Sequence, residues 1–359
     1  MKAFFQFLIL SFTMAGTVYA DKLEIVATFD ESLPPGNLAI APSGRMFMSV
    51  HEFYGQELRL VEILKDGTTK AYPTEEWARA TKKNGVGLKG VFGIRADRQG
   101  ILWILDGQDN EHSGRVIGWD TNTESLHKVF YLSTPVTRET SFLNDLAVDH
   151  SNGAIYITDT GNGENSALIV VDMKTGLSRR VLEGSRFTVP EDIDMVIDNR
   201  VVELGGQPAR IGVNPITIDP TNTWLYFAPM SGKSMYRIKT QYLLNAQLTD
   251  SELEAKVERY GDKPISDGST IDAQGNVYVT GITDNAIGVI RPNGEYDVLY
   301  QSKTTLPWPD GFSIGVDGYI YATVNELFRS PVLNSGKNET KGEFKIVRFK
   351  SESTLINGR

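Results

Sequence analysis

FLNDLAVDHSNGAIYITDTG, residues 142–161, spells a strand, a turn and a second strand. Leu146 and Val148 alternate with Ala147 and Asp149, His150-Ser151-Asn152-Gly153 is rich in turn formers, and residues 154–158 are β-branched and aromatic. ALIVVD from Ala167, a Lys174-Thr175-Gly176 turn and LSRRVL extend the hairpin to a four-stranded antiparallel meander, with strands A to D in chain order.

The unit recurs in GNLAIAPSGRMFMSV from Gly36, GVFGIRADRQGILWILD from Gly90, GVNPITIDPTNTWLYFAP from Gly212, SDGSTIDAQGNVYVTG from Ser266 and PDGFSIGVDGYIYATV from Pro309. Aligned on the turn, the six copies place Phe47, Trp103, Tyr156, Tyr226, Tyr278 and Tyr321 at one position of strand B. The spacing is roughly 50 residues, with one interval of about 70, which suits four strands and their loops. These units predict an all-β chain, a six-bladed β-propeller over residues 21–359 as a single domain. Residues 23–29 precede the first copy and 343–349 follow the last. Sharing one blade, they would close the ring and remove exposed sheet edges.

Two connections are long. Residues 188–210 read as an extra hairpin or a long loop, and Thr249-Asp250-Ser251-Glu252 has capping-box spacing for a surface helix over 250–259. Thr74 is placed to cap a helical turn within 73–80.

Lys2, an apolar run over residues 3–18 and the small-residue exit before Asp21 read as a cleavable leader, residues 1–20, so a secreted or periplasmic protein is expected. With no cysteine, neither a disulfide framework nor a thiolate site can form. The net charge of −9 and the lack of a basic run argue against nucleic acid and anionic membranes as partners. A monomer acting on a small-molecule ligand without a cofactor is expected.

In each hairpin the start of strand A and the end of strand B share one sheet edge, and strand A is nearest the axis. Polar residues at those places should meet at one mouth of the central channel. The A starts are Asn37, Phe92, Asn144 with Asp145, Asn214, Asp267 and Asp310; the B ends include His51, Asp106, Asp159 and Asn325. Trp308 and Phe142 add aromatic surface. His51, Asp145, Asp267 and Asp310 are the candidates for proton transfer, and Asn37, Phe92, Asn144, Asn214, Trp308 and Asn325 for ligand binding. His112, His127 and His150 fall on loops or turns. If the mouth carboxylates served only their turns, their side chains would fold back on local amides.

YPTEEWA at Tyr72, GIRADRQGILWILDGQ at Gly93, SFLNDLAVDHSNGAIYITDTG at Ser141, LIVVDMKTGLSRRVL at Leu168, WLYFAPMSGKSMYRIKTQYL at Trp224 and LPWPDGFSIGVDGYIYATVNEL at Leu306 together resemble the yellow/major royal jelly protein family. The resemblance implies a secreted six-bladed propeller, and a dopachrome-type tautomerase (an isomerase) or a non-catalytic binder of aromatic amines. Insect members usually carry disulfides, which this chain cannot form. FLNDLAVD, GVNPITIDP at Asn214 and SDGSTIDAQGNVYV at Asp267 also resemble segments of the senescence-marker/gluconolactonase family, implying metal-dependent lactone hydrolysis as the alternative. That family's first-blade glutamate is replaced by Asn37, which weakens a site for a hard cation, so no metal is expected.

Overall fold

The computed structural model describes residues 22–80, 85–109 and 112–358; the expected leader lies outside them. Six four-stranded antiparallel sheets form the blades of a β-propeller. Their innermost strands, Pro35–Ile40, Val91–Ala96, Leu143–Asp149, Val213–Ile218, Ser269–Ile271 and Trp308–Ile314, adjoin one another in cyclic order. In the sixth blade Trp308–Ile314, Tyr319–Asn325 and Phe344–Lys350 run outward from the axis. Glu24–Phe29 adds the outermost strand, pairing Glu24 with Arg348 and Phe29 with Phe344. The termini thus share a blade, as the flanking strands predicted.

Middle strands such as ILWILD (Ile101–Asp106) and ALIVVD (Ala167–Asp172) are near-continuous apolar runs because each sheet is covered on both faces. An apolar cluster fills each of the six junctions between neighbouring blades. The recurring strand-B aromatic serves a local purpose at the edge away from the mouth. Trp103, Tyr156, Tyr278 and Tyr321 donate to Asp97, Asp149, Asp272 and Asp317 at 2.7, 3.0, 3.1 and 2.8 Å. The same aspartates also accept turn amides, such as those of Ile101 and Asn276. The repeat is therefore an Asp-turn braced by the ring of the next strand.

Residues 188–210 form two short hairpins, Val196–Ile197 with Arg200–Val201 and Glu203–Leu204 with Gln207–Pro208. The capping box of Thr249 and Glu252 is present, but its helix covers only Asp250–Glu254, because Glu258–Asp262 is taken as the outer strand of blade four. Thr74 caps the short helix Glu75–Ala78. A further helix, Thr240–Leu244, carries no sequence cap and was not expected. His127 lies within the strand Ser125–Leu132, not in a loop, edge-on to Trp103. His150 Nε2 sits 3.0 Å from the buried Asp97 carboxylate.

Candidate functional site

Five of the six inner strands break register at the mouth: between Pro35 and Leu38, Val91 and Ile94, Leu143 and Leu146, Val213 and Ile216, and Pro309 and Phe312. Each such bulge sets two residues against one and re-aims side chains toward the axis. The buried hydroxyls of Ser49, Thr158 and Thr323 accept from the amides of Asn37, Asp145 and Gly311 at these bulges, and Thr280 accepts in the same way from Asp267 in the blade without one, at 2.7 to 3.0 Å. Small residues then let the blades close in. A Cβ on Gly268 would stand 2.0 Å from the Asp310 carbonyl oxygen, and one on Gly311 2.7 Å from Asn37 Oδ1.

The result is a pocket of about 570 Å³ whose lining includes Asn37, His51, Phe92, Asn144, Asp145, Asn214, Asp267, Trp308 and Asp310. Asn325 is not on the wall. Its amide donates to Asp310 Oδ2 (2.9 Å) and to the Pro35 carbonyl (3.0 Å), while its oxygen accepts from the Leu327 amide, so it stands behind Asp310. Asp106 and Asp159, at the ends of their B strands, face sideways. They pair with Arg115 and Arg180 and accept the amides of Gly90 and Phe142 where the inner strands begin.

Bonds across the axis divide the mouth in two. On one side, Asp145 Oδ2 accepts from Arg95 Nη2 (2.7 Å) and Oδ1 from Asn37 Nδ2 (3.2 Å) and its neighbour's amide, Leu146 (2.8 Å). On the other, Asp267 Oδ1 accepts from Asn214 Nδ2 (2.8 Å) and Oδ2 from Trp308 Nε1 (2.7 Å), partners supplied by blades four and six. Asp145 thus mixes local and distant partners, whereas the Asp267 side chain bonds only across blades. All these partners are donors, which suits the carboxylate form.

Burial raises the carboxyls of Asp145, Asp267 and Asp310 above the ordinary range. Arg95 pulls Asp145 back, whereas Asp145 and Asp267 push Asp310 further up. Asp267 is raised to about 6, opposed by the bonds from Trp308 and Asn214. Two carboxyls sharing a dry site cannot both ionise freely, and Asp310, with one amide donor, is the one that retains its proton. His51 is pushed down to about 3 by burial and Arg59, and its Nδ1 accepts the Phe53 amide. At neutral pH it is an uncharged ring packed edge-on against Phe53 and Phe92, a poor proton acceptor.

Phe92 packs at a tilt 4.6 Å from Phe142 and edge-on 5.8 Å from Phe53, so three phenyl rings line one wall. The hairpins of residues 188–210 meet residues 326–342 over a seventh apolar cluster containing Met195, Trp308, Leu327 and Leu333, against which Phe53 also packs. Arg200 to Asn334 and Arg329 to Asp198 tie this roof together. Lys263, 3% exposed, donates to the carbonyls of Met230, Gly232 and Pro264 and fixes the Met230 wall; burial lowers its ammonium to about 7. At the far end of the channel Asn357 bonds the carbonyls of Ile40 and Ile314, and the segment around it covers the axis. Sequence reasoning missed Arg95, Phe53, Lys263 and the roof. The one available signal was the charge of Arg95 within an otherwise apolar inner strand.

Propellers of this kind can hold an axial divalent ion, but the residues here do not fit one. Arg95 Nη1 lies 2.9 Å from Asn37 Oδ1, so the first-blade oxygen already faces a cation, as does Asp145. Among the described residues no three His, Asp or Glu side chains converge as a ligand set.

Comparison with known proteins gives the same architecture. A calcium-binding regucalcin from Agrobacterium tumefaciens superposes with a TM-score of 0.57 at 15% identity, over 93% of this chain and 98% of that one. A gluconolactonase from Xanthomonas campestris gives 0.56 at 12% identity, over 90% of each. At these identities the likeness is one of fold. Among curated sequences, major royal jelly protein 3 of Apis mellifera is 21% identical over 251 residues, covering 65% of this chain and 45% of that protein. Major royal jelly protein 9 of the same species is 21% identical over 310 residues, covering 79% and 70%. The match thus spans about half the length of the first of these relatives. The family model described as major royal jelly protein matches residues 89–357, most of the length, and the chain belongs to that family.

Proposed function

We propose that the mouth binds a small planar molecule, aromatic or hydroxylated, and moves a proton between two of its atoms, as a tautomerase of dopachrome-like compounds does. The observation that carries this reading is the pair Asp267 and Asp310 beneath an aromatic wall. Asp267, held as a carboxylate by two donors, takes a proton from the ligand. Asp310, the protonated member, returns one to a second atom, and proton exchange between the pair or with water restores the starting state. Phe53, Phe92 and Phe142 offer the ring faces and edges against which a planar ligand packs. Dopachrome itself is suggested by the family resemblance. The reading includes export by the leader and action as a monomer on a diffusible small molecule, without nucleic acid or membrane as partner.

The test is dopachrome conversion by the purified protein, followed by loss of the visible chromophore, with D267N and D310N alongside. Turnover lost in both variants supports the reading. A non-catalytic role is the second reading, favoured by the combination of phenyl rings and acidic groups that suits an aromatic ammonium. Micromolar binding of an aromatic amine without conversion of dopachrome would select it. Lactone opening abolished by a chelator would instead select metal-dependent hydrolysis.

A further inference from the structure

We propose that Arg95 is the resident cation of this axis, occupying by its guanidinium the electrostatic place that a divalent ion would take in a mouth with this polar ring. The side chain is 11% exposed and comes from the inner strand of blade two. Its Nη2 reaches Asp145 in blade three and its Nη1 reaches Asn37 in blade one, while Asn37 Nδ2 closes the triangle on Asp145. Three successive blades are thereby joined through one planar group. Arg95 also lines the small cavity below the mouth, to which all six inner strands contribute, so it stands at the axis and not at the rim.

Charge balance gives the reason. Asp145 and Asp267 are buried and Asp310 is half-buried around a single channel, and carboxylates withdrawn from water need a counter-charge or a proton. The proton on Asp310 meets part of that need and the guanidinium meets the rest. A calcium ion would require six or more oxygens at 2.3–2.6 Å. Here Asn37 Oδ1 and both Asp145 oxygens already accept N–H groups, two of these bonds coming from Arg95, whose charge would repel a second cation. The charge at the centre of the mouth is consequently the fixed guanidinium of Arg95, and the acceptors on the Asn37 and Asp145 side are already engaged. The inference does not depend on whether the protein turns a substrate over.

Calcium titration of the intact protein, read by melting temperature and by calorimetry, tests this directly. Wild type should show neither binding heat nor a melting shift at about 1 mM calcium chloride, the range in which weak extracellular sites fill. R95M should gain a calcium-dependent rise in melting temperature, removed again in R95M/D267N, while R95K should behave as wild type. If R95M does not fold, R95Q, shorter but with a polar, uncharged end that still donates, takes its place. Wild-type binding below about 1 mM that is lost in D267N would overturn the assignment. So would folded R95M or R95Q with no calcium response.

Discussion

Replacing Asp267 by asparagine separates the charge of the site from its shape. Asparagine fits the same space and keeps both bonds, to Trp308 Nε1 and to Asn214, once the Asn214 amide turns its oxygen toward the new N–H. In the native state Asp267 holds its proton up to about 6, against an ordinary value of 3.8. Between those two values the native state binds a proton that the unfolded chain has released, so stability falls as pH rises through that window. The shift of about two units corresponds to about 3 kcal/mol at neutral pH, a cost that asparagine avoids. For a chain of this size each kcal/mol moves Tm by about 1.5 °C. D267N should therefore melt at or up to about 4 °C above wild type at pH 7, with the gap closing near pH 4. Turnover should drop by about 10²- to 10⁴-fold, the contribution of a positioned general base. Scanning calorimetry at three pH values and a dopachrome assay measure both. A variant that melts well below wild type at pH 7 yet keeps full turnover would assign Asp267 to structure and refute the reasoning.

The pH profile of kcat/KM should rise through about 6 as Asp267 ionises and fall at higher pH as Asp310 gives up its proton; a flat profile would contradict the acid and base roles. Phe142 is half-buried on the phenyl wall, so F142A should fold and bind an aromatic ligand about 2- to 10-fold more weakly by calorimetry. K263M removes the donor shared by the carbonyls of Met230, Gly232 and Pro264; Met230 keeps the Gly232 amide, so with about 1–3 kcal/mol for each of the other two, urea unfolding should register a loss of about 2–6 kcal/mol. A chain ending before Phe344 loses the strand that joins Glu24–Phe29 to the sixth blade; an unchanged melting temperature would refute the closure.

The amino-acid sequence by itself determined the blades. Alternation, turn residues and the strand-B aromatic act within one hairpin, and the Asp-turn braced by Tyr156 or Tyr278 needs nothing beyond its own blade. Repetition of such a unit, with one strand of the last blade at the start of the chain and three at its end, fixes the number of blades and the closure. It also brings Asn37, Asn144, Asn214, Asp267 and Asp310 to one end, because the start of every inner strand lies at the same sheet edge. Which of those carboxylates faces the axis was decided only by the tertiary structure. Asp106 and Asp267 are both aspartates at strand edges, yet the first turns to Arg115 and the second to residues of two other blades. The difference lies in the close approach of blades permitted at Gly268 and Gly311, which no local pattern records. The neutrality of His51 follows from burial among Phe53 and Phe92, and the helix after Thr249 is cut short by a strand whose partner lies earlier in the chain. Arg95 reads in sequence as one charge in an inner strand. Its partners Asn37 and Asp145 lie 58 and 50 positions away, and only the closed ring brings them within hydrogen-bonding distance.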